Sequence, residues 1–170
     1  DGRQGFATAG SLDPEGLKEG VEEARENLKF AERDPDQGIA IPDGVAPPGL
    51  DLTDPAVLRL TEEDRAAVAI ELERRCLSSD SRITGVRSSA WSDGWGEFAL
   101  ASTSGIAVQS EGGSCSIGVQ PLAMQGTETQ IGYAGDAARR PNALDLDRVV
   151  SEAVEDATRM LGATKPSSEK

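Results

Sequence analysis

Apolar positions early in the chain recur at spacings of three and four. Leu17, Val21, Ala24, Leu28 and Ala31 form one stripe, and the positions between them are largely Glu, Lys and Arg. That is the pattern of an amphipathic helix. Asp13-Pro14 starts it, with Asp as N-cap, Pro at the first helical position and Glu15 in the first turn, and Asp34-Pro35 ends it. A second long helix begins at Thr61, where Glu62, Glu63 and Asp64 place negative charge at the positive end of the helix dipole. Its stripe is Val68, Ala69, Leu72 and Cys76, and Ser78-Ser79-Asp80 closes it. The last helix is capped by Asp145 or Asp147, carries Leu146, Val149, Val150, Ala153, Val154, Ala157 and Leu161 on one side, and stops at Gly162.

Between the second and last helices the period changes. Ile83 to Trp91, Trp95 to Ser102, Ile106 to Ser110, Ser114 to Met124 and Thr127 to Tyr133 read as strands. Ser92-Asp93-Gly94, Thr103-Ser104-Gly105, Glu111-Gly112-Gly113 and Gln125-Gly126 read as the turns between them. Turns this close leave no room for crossover helices, so the sheet should be an antiparallel meander. Frequent Ser and Gly leave its register weakly specified. The predicted fold is α+β, an antiparallel meander sheet with helices packed on one face, in a single domain over residues 1–170.

Residues 34–60 hold five prolines and three glycines, which exclude a long helix or a central strand. Ile39, Ile41, Val45, Leu50, Leu52, Val57 and Leu58 are scattered through them, so the segment reads as a loop packed onto the domain. Asp54-Pro55 should start a short helical turn. The chain opens Asp1-Gly2-Arg3-Gln4-Gly5-Phe6-Ala7-Thr8, a hairpin-turn signal whose first strand would have to precede Asp1. With Lys165 to Lys170 as a polar linker, the chain reads as a piece of a longer protein.

Composition narrows the chemistry. The chain has no histidine, which excludes His-based nucleophile systems and His-ligated zinc within it. The net charge of −13 disfavours binding to nucleic acid or to an anionic membrane. It is uneven, −10 over residues 1–80 and −3 over the rest, which places the acidity on solvated helix faces. No apolar run is long enough for a signal peptide or a membrane span, and Cys76 and Cys115 read as a reduced pair in a cytoplasmic protein.

Individual motifs supply no catalytic constellation. Asp34-Pro35-Asp36-Gln37-Gly38 lacks the remaining ligands of a calcium loop. Gly112-Gly113-Ser114 and Gly132-Tyr133-Ala134-Gly135 are not phosphate loops, and hairpin turns or bulges account for them. Cys76 falls on an apolar helix stripe, and Cys115 has no neighbouring cation to activate it. Trp91 and Trp95 flank the predicted Ser-Asp-Gly turn. Either they form a cross-strand aromatic pair covering the sheet, or they anchor a protein partner.

Several stretches taken in order resemble the TldD/PmbA family, also called the modulator of DNA gyrase family. They are the opening Asp1 to Thr8, Leu12-Asp13-Pro14-Glu15, Asp54-Pro55-Ala56-Val57-Leu58, Ser81-Arg82-Ile83, Ala99 to Gly105 and Leu161-Gly162-Ala163. Gly132 to Arg139 followed by Leu144-Asp145-Leu146-Asp147 is more similar to the PmbA (TldE) branch. The resemblance implies an N-terminal domain of a two-domain protein. In TldD-like members the later domain carries a zinc-binding HExxxH helix and acts as a metallopeptidase on unfolded peptides. PmbA-like members lack that motif and serve as the partner subunit. It therefore implies partner docking to a TldD-like subunit or to self, enclosure of a peptide chamber, and zinc only in the parent complex. No catalytic, cofactor or metal residue carries over onto this chain. A TldD-like parent that is itself a zinc metallopeptidase, or a free-standing protein-binding regulatory module, is the alternative reading.

Overall fold

The computed structural model describes every residue except Asp1, Lys165, Glu169 and Lys170. The opening turn at Asp1-Gly2 and much of the predicted linker from Lys165 to Lys170 therefore lie outside the described residues. Backbone contacts gather into two compact units: Asp1–Pro47 with Leu100–Val108, and Pro48–Ala99 with Gln109–Lys170.

The first unit is built on helix α1, Pro14–Asn27, continued by a 3-10 turn at Leu28–Phe30. Asp13 caps it as predicted, accepting from the backbone N–H groups of Glu15 and Gly16 at 3.1 and 2.9 Å. Of the apolar stripe read from the sequence, Ala24, Leu28 and Ala31 are half-buried, whereas α1 has no fully buried residue and Leu17 and Val21 are about half exposed. The half-buried line is Gly16, Gly20, Ala24 and Leu28, spaced by four. The extended N-terminal segment lies along it, with the Ala9 side chain 3.4 Å from where a Cβ on Gly20 would sit. A Cβ on Gly5 would lie 1.9 Å from the Ala24 carbonyl oxygen, so small residues on both elements permit the approach. The Asn27 side-chain amide donates to the Phe6 carbonyl at 2.9 Å and fixes the segment in place.

In the second unit, helix α2, Pro55–Arg59, is the short turn predicted after Asp54. Helix α3, Glu62–Ser79, opens on a capping box in which the Thr61 hydroxyl accepts from the Asp64 N–H at 3.1 Å and Asp64 accepts from the Thr61 N–H at 3.0 Å. Helix α4, Leu146–Arg159, is capped by Asp145, and Gly162 adopts the positive φ of a helix stop. Five residues of its predicted stripe, Val149, Val150, Ala153, Val154 and Ala157, are buried, and Leu146 and Leu161 pack against them.

The α+β class stands, but two of the four predicted turns do not exist. Strand β1 runs unbroken over Ile83–Ala101 and strand β2 over Ala107–Gln125, passing straight through Ser92-Asp93-Gly94 and Glu111-Gly112-Gly113. Turns form where glycine takes positive φ, at Gly105 (101°) and Gly126 (63°); Gly94, Gly112 and Gly113 do not take it. At the first of these turns Ser102 N–H donates to the Ile106 carbonyl at 2.9 Å, and the Ser104 hydroxyl reaches the Ala40 carbonyl at 2.6 Å.

Strand β3, Glu128–Ile131, pairs antiparallel with β2 through Leu122↔Ile131. The meander then breaks, because strand β4, Ala134–Ala138, returns to β2 through Cys115↔Ala138 and Val119↔Ala134 instead of pairing with β3. The two short strands lie end to end along one edge of β2, with β1 on the other. Gly132, between them, is where α4 presses onto the sheet. A Cβ there would fall 2.1 Å from the Ala153 carbonyl oxygen, an approach that only glycine allows.

The core of this unit is Leu72 and Cys76 of α3, alternate residues Cys115, Ile117, Val119 and Ala123 of β2, and the α4 stripe. Of the proline-rich aliphatics, Val57 is buried and Leu52 half-buried, whereas Ile39, Ile41, Val45, Leu50 and Leu58 are exposed. The packed loop predicted from their number is thus confined to its C-terminal part.

Candidate functional site

The two tryptophans lie on one strand, four residues apart, and so are not a cross-strand pair. At strand rise they stand roughly 13 Å apart. Trp91 is half-buried against the core, while Trp95 remains 46% exposed. Asp93 sits between them. Arg65 of α3 grips it in a fork, Nε to Oδ1 at 2.7 Å and a terminal nitrogen to Oδ2 at 3.1 Å. The Trp91 indole N–H donates to the same Oδ1 at 2.6 Å. The Arg65 hydrogen bonds, then that from Trp91, hold the Asp93 carboxyl below the usual carboxylate range. A carboxylate so occupied is not free to bond to nearby backbone and form the turn predicted at Ser92-Asp93-Gly94. Ser89, further along the strand, donates its hydroxyl to the Ala69 carbonyl of α3 at 2.7 Å.

Beyond this clamp the strand pair loses its side chains. Gly94, Gly96, Gly112 and Gly113 floor a shallow groove of about 480 Å³, walled by Trp95 and Leu52 with Arg139 at its rim. Gly113 N–H donates to the Leu52 carbonyl at 2.9 Å, so the segment after the prolines takes up the edge of β2 beyond β4. On the outward sheet face a second hollow of about 480 Å³ is lined by Ser88, Ala90, Ser92, Ser116 and Gly118, with the Tyr133 ring lying over Gly118 and Gly135. Asp136 also lines this hollow, and its carboxylate is occupied by the Asp145 N–H at 2.9 Å and by Arg148 at 2.9 Å.

Both cysteines are free and buried. Burial pushes the Cys76 thiol up to about 11, and burial first, then the Asp93 charge, raises Cys115, so both are core thiols. Among the described residues no three His, Cys, Asp or Glu side chains converge to hold a metal ion. None of the helices described is long and apolar enough to cross a membrane. The sequence singles out Trp91 and Trp95 but not the Arg65–Asp93 pair to which Trp91 is bonded. Those residues are 28 apart, and opposite charge was their only signal.

Residues 55–161 match the model of the PmbA/TldA metallopeptidase central domain. No curated protein matches the chain significantly. Among solved structures, a candidate modulator of DNA gyrase from Bacteroides thetaiotaomicron superposes with a TM-score of 0.84 at 21% identity, over 98% of this chain and 39% of that one. A candidate modulator of a DNA gyrase from Thermotoga maritima gives 0.78 at 18% identity, over 99% of this chain and 37% of that one. TldE from Thermococcus kodakarensis gives 0.77 at 20% identity, over 93% and 35%. At these identities the likeness establishes the fold, and the chain spans little more than a third of the length of each solved relative. The central-domain match covers more than half of the chain, from α2 through α4 to Leu161, which makes this chain a member of the TldD/PmbA family.

Proposed function

We propose that this chain is a non-catalytic part of a TldE/PmbA-like subunit in a TldD/TldE-type metallopeptidase acting on unfolded peptides in the cytoplasm. Its work there is to dock the partner subunit and to help wall the peptide chamber. The observation that carries this reading is the match of residues 55–161 to a metallopeptidase central domain in a chain without a single histidine. Zinc is then held outside these residues, and no chemical step runs through them. Trp95, half exposed on a strand that α3 holds rigid through Arg65 and Asp93, is the side chain best placed to anchor a partner, with Trp91 fixing the strand beneath it. Likeness to TldE in fold favours the partner-subunit branch.

The test is reconstitution of the intact protein with a TldD-like subunit. Hydrolysis of a reduced, unfolded protein substrate should need both and should stop on metal chelation. Hydrolysis by the intact protein alone, through an HExxxH helix of its own, overturns the partner-subunit assignment. Trp95→Ala should weaken subunit association about tenfold or more while leaving folding intact, measured by titration of one subunit into the other.

A further inference from the structure

We propose that Asp43 is a site of spontaneous covalent modification, at which the Asp43–Gly44 peptide rearranges through a cyclic imide to isoaspartate, while the same dipeptide at Asp93–Gly94 is protected by the fold. This is independent of the docking reading. In the reaction the Gly44 backbone nitrogen attacks the carboxyl carbon of Asp43. A C–N bond forms, the carboxyl C–O bond breaks, and the hydroxyl leaves as water with the proton given up by the nitrogen. Water then adds to either carbonyl of the five-membered ring and opens it. One opening restores aspartate; the other gives isoaspartate, whose main chain runs through the former side-chain carbon. No reactant other than water is needed.

Ring closure asks for an unhindered nitrogen, a carboxyl folded back upon it, and a backbone free to turn. Asp-Gly occurs three times in the chain, and Asp1 lies outside the described residues. Asp13, Asp34 and Asp54 each precede a proline, whose nitrogen has no hydrogen to give up. At Asp43 all three conditions meet. A Cβ built on Gly44 would find nothing within 4 Å, so there is room for the ring. The Val45 N–H donates to Asp43 Oδ1 at 2.9 Å, which folds the carboxyl back along the chain past the Gly44 nitrogen. The same donor draws electron density from the carbon to be attacked. Among the described residues no backbone–backbone hydrogen bond involves residues 38–50, so closure breaks no ladder or helix.

Asp93 is placed in the opposite way. β1 runs through Asp93 and Gly94 as extended strand. Closing a ring there means removing the two hydrogen bonds from Arg65 and the one from Trp91, and turning the strand out of its extended form. Those bonds also keep the carboxyl ionised, and it must regain a proton before its oxygen can leave as water. The clamp thus has a chemical consequence: it preserves a labile dipeptide beside Trp95.

The experiment incubates the intact protein folded, in mildly acidic buffer at physiological temperature, and in parallel unfolded in guanidinium chloride. Samples are cut with a protease that cleaves before aspartate but not before isoaspartate, and the peptides are read by mass spectrometry. In the folded protein Asp43 should convert about tenfold faster than Asp93 or more, because only the second must wait for its strand to open. In the unfolded chain the two should convert at comparable rates. Asp43→Asn should pass through the same ring, releasing ammonia and gaining a negative charge that isoelectric focusing detects. Asp43→Glu, which would need a six-membered ring, should abolish the signal at this position. The Asp43 side chain is exposed, so both variants should fold as wild type does. Absence of isoaspartate at Asp43 in the folded protein, or as much of it at Asp93 as at Asp43, would overturn the inference.

Discussion

Asp93 shows how much a single side chain decides. In sequence it sits in Ser-Asp-Gly, a strong turn signal, and in the structure it lies inside a strand because Arg65 and Trp91 occupy its carboxylate. Nothing local announces that. The partner comes from another helix, 28 residues away. Since the folded state holds the Asp93 carboxyl below its ordinary value, the clamp contributes fully above the unfolded carboxylate range and is lost as pH falls through the lower, folded value. Asp93→Asn should therefore lower the thermal midpoint near neutral pH, and the gap to wild type should close on acidification; melting curves between neutral and acid pH check this. Gly132 decides differently, by having no side chain. Gly132→Ala puts a methyl 2.1 Å from the Ala153 carbonyl oxygen, so α4 must move off the sheet. It should cost about 3 kcal/mol or more in denaturant unfolding.

At the scale of elements, helix starts were legible and the continuity of the long strands was not. Helix ends are written in adjacent residues: Asp13-Pro14, Thr61 with Asp64, and Asp145 each name a start that the structure keeps. Thr61→Ala should cost about 1 kcal/mol, measured by the same unfolding titration. Strand ends are not so written, since Gly94 and Gly113 look like turn residues yet take extended backbone, and β4 is Gly- and Ala-rich with little alternation. On α1 only Leu17 and Val21 of the predicted stripe misled, for another reason. Its half-buried face was fixed by how closely the N-terminal segment approaches, which favours Gly16, Gly20 and Ala24 over the larger Leu17 and Val21. Of the candidate site, both tryptophans were visible in the sequence; their placement on one strand, and the clamp between them, were tertiary facts.

For the whole molecule, the family was the most legible feature, because it rests on the order of many short motifs and survives errors in any one of them. The charge was legible too. The ion pairs described are largely at the surface, several between residues three or four apart on one helix, and such pairs contribute little. Self-repulsion from a net charge of −13 outweighs them, so added sodium chloride should raise the thermal midpoint by screening it. A midpoint that falls with salt would show instead that the surface pairs matter more than the excess charge.

The unequal burial of the two tryptophans also equips the protein with a pair of optical reporters. They are the only two indoles of this 170-residue chain. Trp91, packed against the core with its N–H held by Asp93, should emit to the blue and shift only when the sheet opens. Trp95, facing water over a floor of glycines, should emit to the red and be the one that acrylamide quenches. Anything that settles on this face would shield the second without disturbing the first, so unlabelled protein should distinguish occupation of the face from a change in fold within one emission spectrum.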